Sequence, residues 1–391
     1  MTIKQSPTEI ATHMFKPISK LIVSILAMMC FINVAAQALE TKAKQAILLD
    51  YETGDIMFEK DADAKMFPAS MTKMMTAFMV FDRIKNGSLS LDDTLPVSEK
   101  AWRKGGSKMF IEVGKQIRVE DLLRGIIIQS GNDATIVVAE GLSGSEDAFA
   151  AEMTAKAHEL GMMGTQFKNA SGWPDPEHYT TARDLSILAS AIIRDHPEFY
   201  HIYSETSFTY NGIDQANRNP LLYQNIGVDG LKTGHTEASG YGLTASAVSG
   251  DRRLVLVLNG MESKKDRTSE SKSVMIWGLK EWSRYSLFQA GQTVVDGKVW
   301  LGQAASVPLI VSDKVELTMR RKNRSGLKVT MRYTEPMPAP IIAGTQVGSI
   351  LIEAPDTETQ TIPLLAAYDV ESLGVFGRLN AAVDYLLWGE N

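Results

Sequence analysis

The chain has 391 residues, of which 44% are hydrophobic and 22% are charged, and its formal net charge is −6. This composition is typical of a globular protein, and the length allows more than one domain. A net negative chain without a long basic segment is a poor match for the phosphate backbone of nucleic acids, so we expect no nucleic-acid partner. The only cysteine, Cys30, excludes an intramolecular disulfide and a site built from several thiolates.

The first 38 residues have the pattern of a secretory signal peptide. Three lysines precede the uncharged apolar run "LIVSILAMMCFINV", which is followed by small residues at Ala36 and Ala38. We predict cleavage after Ala38 and an exported product; because the segment carries a net +2, the remainder has a net charge of −8. An uncleaved anchor is the alternative, although the run is shorter than the about 20 apolar residues that span a bilayer. Cys30 lies within the run and lacks the small preceding residue of a lipidation site.

Residues 39–290 alternate between strand and helix patterns. "AILLDYETGDIMFEK" predicts two strands around a Thr-Gly turn, and the segment from Ser70 to about residue 200 is mainly helical. "GYGLTASAVSGDRRLVLVLNG" predicts a second pair of strands, and "SKSVMIWGLKEWSRY" a helix after it. We therefore predict an α/β domain over 39–290, with a sheet built from both ends of the segment and a large helical insertion between them.

The pattern of apolar and polar residues changes twice after residue 290. Residues 291–368 alternate apolar and polar side chains over short stretches broken by Gly, Pro and Asp, which predicts a small all-β domain. Residues 369–391 carry an amphipathic helical stripe with aromatic residues near its end. Such a helix either docks on the body of the protein or lies in a membrane interface. Because Arg378 is its only basic residue, attachment to a membrane would be hydrophobic rather than electrostatic.

"PASMTKMM" places Ser70 and Lys73 three residues apart at the start of an apolar helix. The common explanation for such a pair is a helix cap followed by a solvated lysine. Residues i and i+3 are neighbours on a helix, however, so Lys73 can reach the Ser70 hydroxyl. A serine becomes a nucleophile when a base takes its proton, and a lysine acts as that base once burial or a nearby cation makes it neutral.

Two further motifs that carry side chains suited to this chemistry follow later in the chain. "QSGND" contains Ser130 and Asn132 between two predicted helices, and "GLKTGHT" contains Lys232, Thr233 and Gly234 where a strand is expected to begin. Lys232 is the candidate second cation, and Gly234 allows a substrate backbone to approach the strand edge. Each motif is weak alone, but S-x-x-K, S-x-N and K-T-G together, with about 60 and 100 residues between them, form a strong signal.

This triplet resembles the active-site motifs of the serine penicillin-recognising enzymes. With "KTGHTEASGYGLTASA", the β-rich second domain and the amphipathic tail, the chain more narrowly resembles the low-molecular-mass D-alanyl-D-alanine carboxypeptidases of the penicillin-binding protein 5/6 type. The resemblance implies a penicilloyl-serine transferase (β-lactamase-like) fold and no cofactor. It also implies a peptidoglycan stem peptide as substrate, β-lactams as inhibitors, and a peripheral position on the periplasmic face of the cytoplasmic membrane, held by the C-terminal helix.

The same resemblance implies roles for individual residues. Ser70 would be the acyl-forming nucleophile and Lys73 its base, while Ser130 and Lys232 would pass the proton to the leaving D-alanine. The other implied roles concern substrate binding. Asn132 would hold the peptide backbone, and Arg218 would bind the terminal carboxylate. The backbone N–H groups of Ser70 and His235 would form the oxyanion hole, and Thr233 and His235 would flank Gly234.

Three alternative functions remain open at this point. A D,D-endopeptidase would use the same nucleophile on peptidoglycan cross-links, and a non-catalytic peptidoglycan-binding scaffold would keep the fold without turnover. A β-lactamase needs a glutamate for deacylation, and Glu177 is the candidate in "NASGWPDPEHYTTARDLS". A zinc carboxypeptidase is disfavoured because the six histidines form no compact ligand motif, so we expect no metal.

Overall fold

The computed structural model describes residues 39–388, so the predicted signal peptide and the last three residues lie outside the described part. The helices are α1 Lys73–Lys85, α2 Glu99–Arg103, α3 Val119–Ile127, α4 Asn132–Ser143, α5 Glu146–Glu159, α6 Ala182–Asp195, α7 Pro197–Tyr200, α8 Lys264–Glu281 and α9 Val375–Trp388. Short 3-10 turns cover Ala69–Thr72, His201–Ser204, Pro220–Tyr223 and Arg321–Gly326.

The strands are short and fall into two main groups. Those of the first group are β1 Gln45–Asp50, β2 Ile56–Lys60, β3 Thr94–Pro96, β4 Gln116–Arg118, β5 Ser207–Tyr210, β6 Ile213–Ala216, β7 Val228–Thr236, β8 Gly240–Ser249 and β9 Arg252–Met261. Those of the second group are β10 Trp282–Phe288, β11 Thr293–Trp300, β12 Ser306–Ile310, β13 Val315–Arg320, β14 Lys328–Tyr333, β15 Met337–Pro338, β16 Gln346–Glu353 and β17 Gln360–Ala366.

The main sheet joins the two ends of the first domain, as the sequence predicts. Its order is β2-β1-β9-β8-β7, and all its pairings are antiparallel. β1 pairs with β9 in a register that sets Ile47 opposite Val257, although some 200 residues separate them. The helices α1 to α7 lie in the chain between β2 and β7 and form the predicted insertion. At one edge of the sheet, β7 has a neighbour on one side only, and this strand carries the K-T-G motif.

Helix α1 is the centre of the helical core. Its first nine residues, Lys73 to Phe81, are all buried, because it is packed against α3, α4, α5 and α6 on its different sides. A helix that is apolar all round belongs in a core rather than at a surface. The start of α1, with Ser70 just before it, is therefore held rigidly from several directions.

The second domain begins earlier than the predicted boundary at residue 291. β10, which the sequence pattern assigns partly to a helix, pairs with β13 of the second domain and leaves α8 to end at Glu281. The remaining strands form a sheet of order β14-β16-β17-β12-β11-β15. Alternating side chains of these strands build a separate apolar core around Leu309, Ile350 and Leu364.

The C-terminal helix also begins later than predicted. Val370 and Ser372 form isolated β-bridges with the second domain, and helix α9 starts only at Val375. The reason is that residues 369–372 complete backbone pairing at the edge of the β domain before the amphipathic stripe becomes helical. No helix within residues 39–388 combines the length and the apolar character that crossing a bilayer requires.

A loop between α5 and α6 is fastened to the start of α1. The imidazole of the buried His178 accepts a hydrogen bond from the Lys168 N–H at Nδ1 (3.1 Å), so its Nε2 carries the proton and donates to Thr72 Oγ1 (2.8 Å). Gly172 packs so closely that a Cβ there would lie 1.7 Å from the Ala69 carbonyl oxygen. This loop, residues 169–178, therefore lies against the turn that carries Ser70.

We predict that His178 makes the protein less stable in mild acid. Burial lowers the pKa of His178 from 6.5 to about 4, so between these values the unfolded chain binds a proton that the folded chain does not. The contribution of neutral His178 to the free energy of unfolding is therefore fully present above about pH 6.5. It falls by roughly 3 kcal/mol as the pH decreases towards 4. His178→Gln keeps one donor and one acceptor without titrating, and urea unfolding at several pH values should show a flatter profile for this variant.

The exposed His201 provides the control. His201→Gln should leave the wild-type pH profile of urea unfolding unchanged, because His201 makes only a local contact with the Glu198 carbonyl oxygen. A His178→Gln profile that is as steep as that of the wild type would contradict the prediction.

Candidate active site

The Lys73 amine lies at the meeting point of three segments of the chain. Its Nζ is 3.1 Å from Ser70 Oγ, 2.7 Å from Asn132 Oδ1 and 2.6 Å from the carbonyl oxygen of Ser171, and the side chain is fully buried. The S-x-x-K and S-x-N motifs and the 169–178 loop thus meet at one nitrogen atom. Because a neutral amine has two N–H groups and one lone pair, the two carbonyl oxygens can take the N–H groups and leave the lone pair for the Ser70 hydroxyl.

The surroundings of Lys73 favour this neutral form. Burial lowers the pKa of the Lys73 amine to about 7, and the positive charge of Arg218 contributes in the same direction, while Asp133 partly opposes them. A buried ammonium loses its hydration, and like charges nearby add to the cost. The sequence hypothesis of a lysine that can accept the serine proton near neutral pH is therefore physically consistent with the geometry.

Ser130 lies in a tight turn between α3 and α4. Its backbone has φ of 59°, a left-handed conformation that is uncommon for residues other than glycine. Its side chain is buried, and within residues 39–388 the Oγ has no hydrogen-bond partner. The Asp133 carboxylate holds this turn against residues 109 and 110, because it accepts hydrogen bonds from the Met109 N–H (2.8 Å) and the Phe110 N–H (3.0 Å). A strained residue with an unused hydroxyl is typical of a functional site.

The Asn132 side chain is engaged by the protein itself. Its Oδ1 accepts a hydrogen bond from Lys73, and its Nδ2 donates to the Gly105 carbonyl oxygen (2.9 Å). The resemblance implies that Asn132 holds the substrate backbone, whereas its contacts in this structure orient the lysine and tie the loop before Met109 to α4. One N–H of the amide is not used by these contacts.

The K-T-G motif lies in the middle of β7, not at its beginning as predicted. Lys232 is buried, and burial together with the charges of Lys73 and Arg218 lowers the pKa of its amine well below the ordinary value. Gly234 packs on the turn before Ser70, where a Cβ would lie 2.6 Å from the Pro68 carbonyl oxygen. Glycine is therefore needed for the edge strand to reach the serine.

A cavity of about 600 Å³ connects these motifs with a group of cations that the sequence analysis largely missed. Arg218 lines it, as expected, and donates a hydrogen bond to Ser107 Oγ. The cavity is lined by Ser70, Ser107, Ser130, Arg218, Thr233, Gly234, His235, Tyr241, Lys264 and Arg267. This cationic cavity can bind an anionic group, such as a carboxylate, beside the Ser70 hydroxyl.

Arg267 is the main residue that the sequence analysis did not identify. It is buried, its guanidinium carbon lies 5.7 Å from the centre of the Tyr241 ring, and within the described residues its Nε has no hydrogen-bond partner. Tyr241 in turn stacks on His235, with ring centres 3.8 Å apart. Arg267 and Lys264 are three residues apart in "KKDR", so they share one face of α8, but nothing in the sequence indicates that this face borders the cavity.

Glu177 does not take the place of a deacylating base. Its carboxylate forms an ion pair with Lys168 (3.1 Å), and 69% of its side chain is exposed. The group that the 169–178 loop brings to Lys73 is the Ser171 carbonyl oxygen instead. Glu177, the candidate for the β-lactamase alternative, therefore does not face Lys73.

Comparisons with known proteins agree with this geometry. The sequence profile of the D-alanyl-D-alanine carboxypeptidases matches residues 32–263, and the profile of the penicillin-binding protein 5 C-terminal domain matches residues 282–372. The D-alanyl-D-alanine carboxypeptidase DacC of Escherichia coli is 38% identical over 351 residues, which are 88% of either chain.

Solved structures give the same result. Penicillin-binding protein 5 of Haemophilus influenzae is similar with a TM-score of 0.78 and 35% identity, over 86% of this chain and all of the other. Penicillin-binding protein D2 of Listeria monocytogenes, solved in an ampicillin-bound form, is similar with a TM-score of 0.58 and 31% identity, over 62% of this chain and 99% of the other. The chain therefore belongs to the D-alanyl-D-alanine carboxypeptidases, serine peptidases of family S11, and carries the C-terminal domain of penicillin-binding protein 5.

Proposed function

We propose that Ser70 performs the carboxypeptidase reaction of this family on peptidoglycan stem pentapeptides, with Lys73 as its base. The observation that carries the proposal is the Lys73 amine, which is fully buried, has a pKa of about 7 and lies 3.1 Å from Ser70 Oγ. A base with a pKa near the working pH combines a large neutral fraction with a useful proton affinity.

In this proposal, the groups around the Ser70 hydroxyl have the following roles. Ser70 Oγ attacks the carbonyl carbon of the penultimate D-alanine while Lys73 takes the hydroxyl proton, and the backbone N–H groups of Ser70 and His235 stabilise the oxyanion. The carbon–nitrogen bond then breaks, and a proton passed through Ser130 and Lys232 leaves with the amine of the terminal D-alanine. Water hydrolyses the ester on Ser70 and releases the shortened peptide.

In this proposal, the cationic cavity binds the free terminal carboxylate of the substrate. Arg218, Lys264 and Arg267 line it together with the Thr233 hydroxyl, and the buried Arg267 presents an Nε without a partner in the described part of the chain. A carboxylate bound there supplies hydrogen-bond acceptors and compensates the like charges. The same carboxylate would orient the scissile bond towards Ser70.

The same serine would be acylated by β-lactams. The Listeria relative was solved with ampicillin and with cefotaxime bound, and this chain shares its fold over 62% of its length. The strained lactam amide would take the place of the D-Ala-D-Ala peptide bond, and its carboxylate would lie in the cationic cavity.

Endopeptidase activity on cross-links is the second candidate function. A cross-linked peptide in which the amine belongs to a diamino acid can also present a carboxylate next to the scissile bond, so the cationic cavity accommodates it by the same contacts. The two activities therefore differ in the size of the leaving group that must fit beyond the scissile bond. An assay with both substrates distinguishes them.

The full chain should release D-alanine from a stem pentapeptide ending in D-Ala-D-Ala and should be labelled by a fluorescent penicillin. Ser70→Ala should lose both properties, because it removes the hydroxyl that forms the ester in the proposed reaction. Ser269→Ala removes an exposed serine on α8 and serves as the matched control. Release from a cross-linked peptide alone would move the function to endopeptidase, and turnover that survives in Ser70→Ala would refute the assigned nucleophile.

The rate of acylation should depend on the ionisation of Lys73. Because only the neutral amine accepts the serine proton, kcat/KM should rise with pH along a limb centred near pH 7. Lys73→Arg keeps the charge but stays protonated and should reduce kcat/KM on the order of 10²–10⁴-fold. Lys85→Arg at the other end of α1 should change neither the rate nor the profile. A rate that does not vary between pH 6 and 8 would contradict the role of Lys73.

We further propose that the exported protein is held at the periplasmic face of the cytoplasmic membrane by helix α9. Val375 and Phe376 are 83% and 84% exposed, and Leu379 on the same helix is 61% exposed, so no other segment within residues 39–388 covers these apolar side chains. Its exposure favours an interfacial helix over one docked on the body of the protein.

Replacing Phe376 and Leu379 by serine should move the protein from the membrane to the soluble fraction in sedimentation of cell extracts. The control Asn380→Ser alters an exposed polar residue of the same helix and should stay with the membrane. About 1 M NaCl should not release the wild type, since charge attraction is screened at that ionic strength and apolar contact is not. A serine variant that still sediments with membranes would refute the anchor.

A further inference from the structure

The second domain carries a short basic segment in a chain that has an excess of acidic residues. Residues 320–333 contain six arginine and lysine residues and no aspartate or glutamate, whereas the whole chain has a formal net charge of −6. The segment consists of the end of β13, the 3-10 turn Arg321–Gly326 and the edge strand β14. We name it the basic edge.

Two arginines of the basic edge are held over aromatic rings. The guanidinium carbon of Arg320 lies 5.2 Å from the centre of the Trp277 ring, and that of Arg324 lies 5.3 Å from the centre of the Tyr285 ring. A cation–π contact fixes the position of a guanidinium but brings no negative charge to it. The turn before β14 is therefore positioned by the protein while its positive charge remains.

The other cations of the basic edge also lack a carboxylate partner. Lys322, Lys328 and Arg332 are exposed, and none of them forms an ion pair within residues 39–388. Glu353 is opposite Lys328 in the ladder between β14 and β16, but the two side chains are not paired. This positive charge is therefore available to an anionic group from outside the chain.

Strand β14 leaves one of its sides open. In the part of the chain that the structure describes, β14 is at the end of its sheet and pairs only with β16. The backbone N–H and C=O groups that point away from β16 therefore have no ladder partner there. An open strand edge of this kind can accept an extended peptide as an additional strand.

The two faces of β14 differ in character. Val329 and Met331 are paired with core residues of β16, yet they are 41% and 44% exposed because no further strand covers them. Side chains alternate along a strand, so Lys328 and Arg332 lie on the other face. A strand added to this edge would therefore meet apolar side chains on one face and cations on the other.

These features favour an extended acidic polypeptide over a second copy of this chain. In a two-fold antiparallel pairing of two β14 strands centred on Thr330, Lys328 of one copy would lie opposite Arg332 of the other. Like charges directly opposite each other destabilise such a pair. An acidic strand has the complementary charge, and it also uses the free backbone groups of β14, which a lipid headgroup does not need.

The basic edge is also not next to helix α9. The chain enters α9 after two isolated bridges, Ile341 with Val370 and Gly302 with Ser372. Ile341 and Gly302 follow β15 and β11, which form the opposite end of the six-stranded sheet from β14. The surface around β14 therefore does not continue the apolar face that is proposed to lie in the membrane.

We propose that β14 binds an extended acidic segment of another protein as an added strand. Carboxylates at every second position of this segment pair with Lys328 and Arg332, and the apolar side chains between them cover Val329 and Met331. Backbone hydrogen bonds to the open edge supply the remaining contacts. The inference goes beyond the reaction at Ser70, because it assigns a docking surface to the second domain.

The first test compares two labelled peptides in binding to the full chain. One peptide of about seven residues alternates glutamate and valine, and the other alternates glutamate and proline. The second keeps the carboxylates, but proline has no N–H group to donate to a ladder. Fluorescence anisotropy at about 0.1 M salt should show about 5- to 20-fold tighter binding of the glutamate-valine peptide.

Variants assign this binding to the basic edge. Replacing Lys328 and Arg332 by glutamine should weaken binding of the glutamate-valine peptide about 5- to 20-fold, because two charge-assisted contacts are lost. Replacing Lys298 and Lys314 by glutamine removes the same charge from the same domain and should change the affinity less than about twofold. Both double variants should release D-alanine at the wild-type rate and unfold at the wild-type urea concentration.

Hydrogen exchange gives a direct readout of strand addition. With the glutamate-valine peptide at about ten times its Kd, amides of residues 328–333 should exchange about tenfold more slowly. The edge strand β2 is the internal control and should not change. The carboxylates of Asp55, Glu59, Asp356 and Glu358 line the cavity beside β2 and repel an acidic peptide.

Several results would overturn the docking strand. Equal affinity for the two peptides, an equal loss in the Lys298 and Lys314 variant, or unchanged exchange at residues 328–333 would reduce the effect to unspecific charge attraction. Self-association of the Lys328 and Arg332 variant without peptide binding by the wild type would show that these cations only protect the edge from aggregation.

Anionic vesicles test the remaining alternative. The variant with serine at positions 376 and 379 lacks the apolar face of α9, so its binding to phosphatidylglycerol vesicles reports on the rest of the surface. Vesicle binding that depends on Lys328 and Arg332, together with no binding of the glutamate-valine peptide, would assign the basic edge to a lipid surface and refute the proposal. None of these results bears on D-alanine release, so the proposed reaction at Ser70 is tested separately.

Discussion

The burial of the Lys73 amine is the constraint on which the rest of this structure depends. Removing a lysine ammonium from water costs free energy unless the ammonium is paired or loses its proton, and no carboxylate of residues 39–388 forms an ion pair with Lys73. Three oxygen atoms from three separate segments contact the amine, and its pKa of about 7 allows it to be neutral near neutral pH. Each segment must therefore be held in place, which agrees with the burial of Lys73 to Phe81 in α1, the left-handed backbone of Ser130 and the contacts that hold the 169–178 loop against α1.

Two unlike cavities lie beside the turn that carries the reactive serine: Ser70 lines the cationic cavity, and the preceding Ala69 lines the other. One is lined by arginine and lysine side chains, the other by aromatic and proline residues with a single carboxylate. The charge of the lining therefore differs between the two sides of this turn.

Several features of the fold and site were accessible from local sequence patterns. Three predictions rest on patterns of only a few residues, and the structure agrees with each of them. They are the spacing of Ser70 and Lys73, the position of Ser130 between two helices, and the strand pairs at both ends of the first domain. The start of the second domain and the start of helix α9 were misplaced, because Trp282–Phe288 and Val370 are decided by which strand they pair with, and pairing is not a local property.

By itself, the sequence determined the motifs and their order, because the nucleophile, the base and the K-T-G strand each need particular residue types at short spacing. Only the tertiary structure decided that Arg267 borders the same cavity as Arg218, that Glu177 faces Lys168 rather than Ser70, and that Asn132 and the Ser171 carbonyl oxygen hold the lysine. The two contacts of Lys73 join residues 59 and 98 positions apart, and Arg218 and Arg267 are 49 positions apart. Their distances follow from how helices and sheet pack, and no short pattern encodes that packing.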